Sequence, residues 1–206
     1  YGAHQDLHSF PTRRSSDLEV DMTVAEIWRA AFNQSHQARI TITDIIIKAV
    51  AGLLPRFPRL NALLQKNVLL QKVDVNIGVA VSVTDGLLVP VVAHAQDKTL
   101  QEISQLSRKN AEAARAGKLG TTPATFTISN LGMYNITTFL PIINAPEVAI
   151  LGVGSMHKKV VAQDPHSISI HNVMELSLAC DHRAVDGAYG AQFLGALKDH
   201  LEQFGA

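Results

Sequence analysis

Cysteine occurs once in this chain, at Cys180, so no disulfide can form within it, and a reducing compartment is the mild preference. Net charge is also missing. Eighteen basic residues balance eighteen acidic ones, leaving no basic field of the kind that marks nucleic-acid binding or attraction to an anionic membrane. No apolar run approaches the roughly 18 residues of a membrane span, and the amino end lacks a basic segment followed by an apolar signal core. Internal repeats and low-complexity linkers are absent too. What is present is a chain of 206 residues, 47% of them hydrophobic, long enough for one sizeable core. A single domain of the cytoplasm or an organelle matrix is expected, with neither nucleic acid nor membrane as partner.

Residues 1–18 (YGAHQDLHSFPTRRSSDL) show neither helical nor strand periodicity. The stretch HSFPTRRSSDL resembles a translated sequencing adapter, so residues 1–18 are expected to be extraneous or disordered, with the domain occupying 19–206 and its natural amino end incomplete. From Glu19 the pattern becomes regular. Thr23 and Glu26 have the spacing of a capping box at the head of a first helix, and a nearly all-apolar second helix is expected from Thr43 and Asp44 until Pro55 stops it. Val73, Val75, Ile77, Val79, Val81 and Val83 alternate with small or polar residues, the period of a strand. Asp85 and Gly86 then supply a hairpin turn, and LLVPVV reads as a return strand that Pro90 confines to an edge or bulge. Thr99 and Glu102 repeat the capping-box spacing for a helix ending near Gly117. TFTIS, EVAILGV and SISIHNVMELSLAC read as strands and 187–204 as a closing helix. The order predicts an α+β sandwich, helices covering one face of a mixed sheet.

Met174, Leu176, Leu178 and Cys180 share one face of the last strand, and continued alternation would put His182 on that inward side. Asp186 and Gly187 follow four and five residues on, close enough for a tight turn to bring a carboxylate back toward the imidazole or another cation, with Gly187 tolerating unusual backbone angles. The motif HRAVDG alone fits a structural pair, half of a metal site or an acid–base couple. Cys180 reads as a small core residue rather than a nucleophile.

Three blocks in order are more specific: DGLLVPVV at 85–92, TFTISNLGMYN at 125–135 with PIINAPEVAILGVGS at 141–155, and ACDHRAVDGAYGAQFL at 179–194. Together they resemble the acyltransferase domain of the 2-oxo acid dehydrogenase complexes, a family sharing its fold with chloramphenicol acetyltransferase; the middle block is most similar to the pyruvate dehydrogenase acetyltransferases. The resemblance implies transfer of an acyl group, acetyl in the nearest subgroup, between a dihydrolipoyl thiol and coenzyme A. It implies His182 as general base, Asp186 as a carboxylate that organises the site through an arginine, and Ser129 as hydrogen-bond donor to the oxyanion. It places coenzyme A as substrate against Ser129, Asn130, Gly154 and Met156, with the lipoyl group on a separate domain and no metal. The implied partners are lipoyl domains, the decarboxylase and dihydrolipoamide dehydrogenase components, and other copies of the chain: homotrimers, with each site between two subunits, assembled into a larger core in a bacterial cytoplasm or mitochondrial matrix. The carboxy-terminal stripe ending in Leu201 and Phe204 is expected to serve a second contact.

Two alternatives stay open: within enzymes, an O-acyltransferase like chloramphenicol acetyltransferase, and, as a different class, a noncatalytic scaffold subunit, which would be expected to lose the histidine. Ser129 also fits a plain turn serine ahead of Asn130 and Gly132.

Overall fold

In the computed structural model, residues 13–84, 86–118, 120–164 and 166–205 are described. The chain opens with strand β1 (Arg13–Asp21) and helix α1 (Thr23–His36). Helix α2 (Ile42–Leu53) follows, then a 3-10 turn at Leu54–Arg56 and the hairpin β2 (Ala62–Gln65) and β3 (Val68–Gln71). Next come β4 (Ile77–Val79), β5 (Val81–Val83), β6 (Gly86–Leu88) and β7 (Val91–Val92). Helix α3 (Leu100–Arg115) leads to β8 (Phe126–Asn130) and β9 (Ala149–Val153). The chain closes with β10 (His157–Asp164), β11 (Ser167–Asp181) and α4 (Gly187–Glu202).

The main sheet runs β1-β11-β9-β8-β4-β7, with β10 paired to the other half of β11. β8 lies parallel to both β4 and β9, and the other pairs are antiparallel, so the sheet is mixed. The period of two along each strand divides it into two faces. Phe126, Ile128, Leu151, Leu176 and Leu178 are buried on the helix side, where Phe126 meets Phe193 of α4 with ring centroids 6.0 Å apart. Thr127, Ser129, Ile150 and Gly152 point the other way; a Cβ on Gly152 would sit 3.2 Å from Phe139 and Pro141, so residues 136–147 cover that face. The expected α+β sandwich is the observed one.

The nearly all-apolar α2 is buried on most sides, against α3 and α4. Its cap is Thr41, whose hydroxyl accepts from the Asp44 N–H while Asp44 bonds back, two residues earlier than the expected start. The Thr99–Glu102 box caps α3 as expected.

Several sequence expectations need correction. Thr23 does not cap α1; Asp21 accepts from the Thr23 N–H at 2.9 Å, Thr23 accepts from Asn172 N–H, and Glu26 instead pairs with Arg29 at 2.7 Å. The alternation at 73–83 is not one strand. Val73 is 92% exposed, β4 alone joins the main sheet, and β5 leaves it to pair with β6. Asp85 lies outside the described residues, while β7 after Pro90 is an edge strand as expected. The expected stop at Pro55 does hold: α2 ends at Leu53, and Pro55 sits inside the short 3-10 turn that follows.

Regular structure also begins at Arg13 rather than Glu19, because β1 pairs with β11 from Arg13↔Asp181 to Asp21↔Val173; residues 1–12 lie outside the described residues. An edge strand is held by backbone hydrogen bonds and needs no apolar period, which is why none was visible. The same holds for β10, a strand the sequence pattern did not reveal. Leu201 is fully buried in its own core and Phe204 packs edge-on to Trp28 at 5.0 Å, so Leu201 is not available for the second contact expected of it.

Candidate functional site

The sequence-predicted residues fall at opposite ends of the sheet. At one end, β11 stops at Asp181 and the chain turns, the amides of Ala184 and Val185 donating to the Asp181 carbonyl at 2.9 and 3.0 Å. His182 sits half-buried in that turn. Asp181 is 5% exposed, and its carboxylate is met by the guanidinium of Arg183 at 2.6 Å. Asp186 caps α4, accepting from the Tyr189 N–H at 2.9 Å. That backbone bond, and next the positive charge of Arg59, hold its carboxyl below the usual range, offsetting slight desolvation.

Arg59 is the partner that the sequence did not disclose. Its Nη1 lies 3.4 Å from Asp186 Oδ2, its Nε donates to the Ala184 carbonyl at 3.1 Å, and its guanidinium lies 4.9 Å above the Tyr189 ring. Arg183, adjacent to the histidine, is committed to Asp181 instead. No local signal could have found Arg59, which is 127 positions from Asp186. Gly187 has no positive φ and nothing within 4 Å of a built Cβ, so the unusual backbone angle expected of it is not used. Burial, with the neighbouring charge of Asp181, pushes the Cys180 thiol up to about 12, and it remains a neutral core group at physiological pH.

At the other end, Ser129 lies near the close of β8 and lines an open groove of about 420 Å³ with Leu87, Val89, Phe139, Leu140 and Thr127 among its walls. Below Thr127 is Glu147, 5% exposed, which accepts from the Thr127 hydroxyl at 2.6 Å and from the Asn144 amide at 2.9 Å. Desolvation raises its carboxyl above the ordinary range despite those two bonds. Asn130 and Gly154 are neighbours at the ends of the parallel pair β8 and β9. The Asn130 side chain is anchored by two bonds, one amide N–H donating to Thr43 Oγ1 at 2.9 Å and Oδ1 accepting from Gly132 N at 2.8 Å. Gly154 is glycine for packing: a Cβ there would lie 1.8 Å from the Thr137 carbonyl oxygen. Met156 is half-buried against the core.

Register gives the distance between the ends. Ser129 is level with Gly152 of β9, which is level with Ser177 of β11. His182 lies five positions past Ser177, about 16 Å along the strand, and two strands across, about 10 Å. Within one chain the backbones at His182 and Ser129 are therefore roughly 19 Å apart. Reaction at one carbonyl needs groups about 3 Å from it. The structure thus unites Ser129 with Asn130 and Gly154, and His182 with Asp186, but not the two sets with each other.

Residues 7–206 match the family described as 2-oxoacid dehydrogenases acyltransferase (catalytic domain). The chain belongs to this family. The dihydrolipoyllysine-residue acetyltransferase component of the pyruvate dehydrogenase complex of Rickettsia felis is 37% identical over 195 residues, covering 91% of this chain and 47% of that protein. The lipoamide acyltransferase component of the branched-chain alpha-keto acid dehydrogenase complex of Bacillus subtilis is 35% identical over 192 residues, covering 90% and 45%. The chain thus spans about half the length of these relatives. A solved structure of Azotobacter vinelandii dihydrolipoamide acetyltransferase superposes with a TM-score of 0.87 at 36% identity, covering 93% of this chain and 82% of that one; it concerns the role of a serine, a histidine and an asparagine in that enzyme's catalytic mechanism. Chloramphenicol acetyltransferase shares the fold, with a TM-score of 0.60 at 11% identity over 92% of this chain and 88% of that one.

Proposed function

We propose that this acyltransferase domain passes an acyl group between a dihydrolipoyl thiol and coenzyme A at a site completed by two copies of the chain, His182 from one and Ser129 from the next. The separation of about 19 Å within one chain carries this reading, since neither residue can serve the other's transition state unless a partner supplies it. A free thiol near pKa 8.5 is only partly ionised at neutral pH. The imidazole of His182 removes its proton as sulfur attacks the thioester carbonyl, and the hydroxyl of Ser129 donates to the oxygen on which charge develops. Collapse expels the other thiolate, which takes the proton back from the imidazolium. No acyl-enzyme is needed when both substrates are held together.

Coenzyme A is assigned to the Ser129 end, beside Asn130, Gly154 and Met156. One Asn130 amide N–H is engaged by Thr43 and its oxygen by Gly132, so contacts there fall to its second amide N–H, to main-chain groups and to Ser129 itself. Acetyl is the proposed acyl group, supported by the pyruvate dehydrogenase relative, while the branched-chain relative at nearly equal identity marks the alternative to test. The same kinship supports lipoyl domains, a 2-oxo acid decarboxylase and dihydrolipoamide dehydrogenase as partners, in a bacterial cytoplasm or mitochondrial matrix. A head-to-tail interface that closes by rotation makes a ring, and a trimer within a larger core is the proposed assembly.

The test is thiol release from acetyl and isobutyryl coenzyme A with dihydrolipoamide as acceptor, run alongside light scattering. Acetyl transfer by an oligomer is expected. Transfer at full rate by a monomer would overturn the shared site; a preference for the isobutyryl thioester would reassign the acyl group.

A further inference from the structure

We infer that Glu147 is a specificity-determining residue, turning away acyl groups that carry a second carboxylate so that the Ser129 groove takes uncharged aliphatic ones; this rests on the acyltransferase reading above. With Ser129 donating to the thioester oxygen, the carbon chain of the acyl group lies in the groove that Ser129 lines. Thr127 also lines it, two positions back on the same face of β8 and about 6–7 Å away at the backbone. A four-carbon dicarboxylic acyl group reaches about 4 Å from its thioester carbon to its far carboxylate, across three bonds of about 1.5 Å. Its second charge therefore comes to rest against Thr127 and Asn144, the polar floor of the groove. Directly behind both is the Glu147 carboxyl, which accepts from the Thr127 hydroxyl at 2.6 Å and from the Asn144 amide at 2.9 Å. One hydrogen bond and one van der Waals contact put the two carboxyl groups about 6 Å apart.

Volume does not make this selection. An apolar cavity of about 150 Å³ already holds a benzene molecule. The groove, at about 420 Å³ with Leu87, Val89 and Phe139 among its walls, has room for acyl groups well beyond acetyl. Charge does select. No Lys, Arg or His is among the described residues lining the groove, and the groups acting on Glu147 are Thr127, Asn144 and its own burial, with no cation among them. At the end that the next copy presents, the guanidiniums of Arg59 and Arg183 are already engaged with Asp186 and Asp181. A carboxylate entering the groove thus loses water, gains no counter-charge and meets a like charge, none of which befalls a methyl-ended chain. Stability gives no account of Glu147 either. Burial raises its carboxyl, so its ionised form opposes folding, whereas an amide would make the same two bonds without that cost.

The experiment measures kcat/KM in the 206-residue chain for succinyl coenzyme A and for butyryl coenzyme A, its uncharged four-carbon counterpart, with dihydrolipoamide as acceptor. The parent is expected to favour butyryl by about 100-fold or more. Glu147→Gln should narrow that preference by about 10- to 100-fold, the effect of removing one like charge about 6 Å away at an effective dielectric constant of about 20. A general loosening of the site would slow both thioesters alike and leave the ratio unmoved. Leu140→Lys, at a wall position 59% exposed, puts a cation at the groove and should shift the ratio the same way; it carries the test should Glu147→Gln not fold. Calorimetric binding of two unreactive thioethers, S-(3-carboxypropyl) and S-butyl coenzyme A, gives the same comparison without turnover. Equal kcat/KM for the two thioesters in the parent, or a ratio that Glu147→Gln leaves unchanged, would overturn the inference. A parent that transfers neither acyl group would sink the proposed function instead, and the thioethers would then decide: a preference for the butyl compound that Glu147→Gln narrows supports the inference, and equal affinities overturn it.

Discussion

The two ends of the sheet are built on different plans. Around His182 the side chains are ionic and partly exposed, and order comes from directed bonds: Asp181 with Arg183, Asp186 with Arg59 and the α4 amide. Around Ser129 the side chains are apolar or neutral, and order comes from packing, with a carbonyl pressed against Gly154 and rings against Gly152. The contrast matches the tasks proposed for each. A base must exchange protons with thiols that arrive from solvent, whereas an oxyanion donor needs a rigid setting that does not reorganise as charge appears.

Breaking the base end should have the largest effect. His182→Ala is expected to lower turnover by about two to four decades with the fold intact. Mixing sharpens the comparison between ends. If each site takes His182 from one chain and Ser129 from the next, co-refolding equal amounts of His182→Ala and Ser129→Ala should regenerate about a quarter of the parent activity, since one pairing in four is intact at both positions. Recovery no greater than the sum of the two single variants would show that both residues act within one chain or that one of them does not act.

Ser129→Ala alone should reduce kcat by roughly two to three decades with smaller changes in KM, because the bond matters chiefly in the transition state. Steady-state kinetics varying both substrates checks it. Near-normal turnover would leave Ser129 as a strand residue, and a rise confined to the coenzyme A KM would make it a binding residue.

Glycines separate the ends next, through stability. Gly154→Ala drives a Cβ into the Thr137 carbonyl, and overpacking that backbone must yield to should cost about 1–3 kcal/mol or more, near 2–4 °C of melting per kcal/mol in a domain of this size. Gly187→Ala meets open space at the first position of α4 and should leave melting unchanged or slightly raised. Equal losses at both positions would erase the distinction between packed and bonded ends.

Much of this was visible in the sequence, for identifiable reasons. α2 was legible because its apolar run is local, α3 because its Thr99-x-x-Glu102 box is, and β11 because it alternates through its buried half, whereas the same spacing at Thr23 and Glu26 misled. The run at 73–83 misled because alternation persists through a break: β4 and β5 belong to different sheets although Val79 and Val81 continue one pattern. β1 and β10 escaped because edge pairing is written in backbone. At the site, HRAVDG and TISN announced their residues, but Arg59 did not, since an ion pair across the fold leaves no spacing. Nor did the distance from Ser129 to His182, which exists only once β8, β9 and β11 are in register.

The smallest expected effect concerns Glu147, the ionisable group beneath the apolar groove, and it runs opposite to that of Asp21 at the far edge of the sheet. Burial raises the Glu147 carboxyl, so the folded chain binds a proton there at pH values where the unfolded chain has released it. Its contribution to stability therefore falls as pH rises from the unfolded value near 4.5 through the folded one, and the full penalty is present above both. For Asp21, slight burial is outweighed by hydrogen bonds from Thr23 and His171, so its carboxyl is lowered and its contribution is lost as pH falls below 3.8. Glu147→Gln removes the ionisation and keeps every bond: the amide oxygen accepts from Asn144, and the amide nitrogen donates to Thr127, whose hydroxyl turns to accept. The melting temperature of Glu147→Gln relative to the parent should thus climb by a few degrees between pH 4 and neutrality and then level off. Glu147→Ala, which strands both donors and leaves a void, should melt lower at every pH. A flat difference for the glutamine variant across that range would mean that Glu147 ionises in the fold as readily as outside it, and that the floor of the groove is wetter than its packing implies.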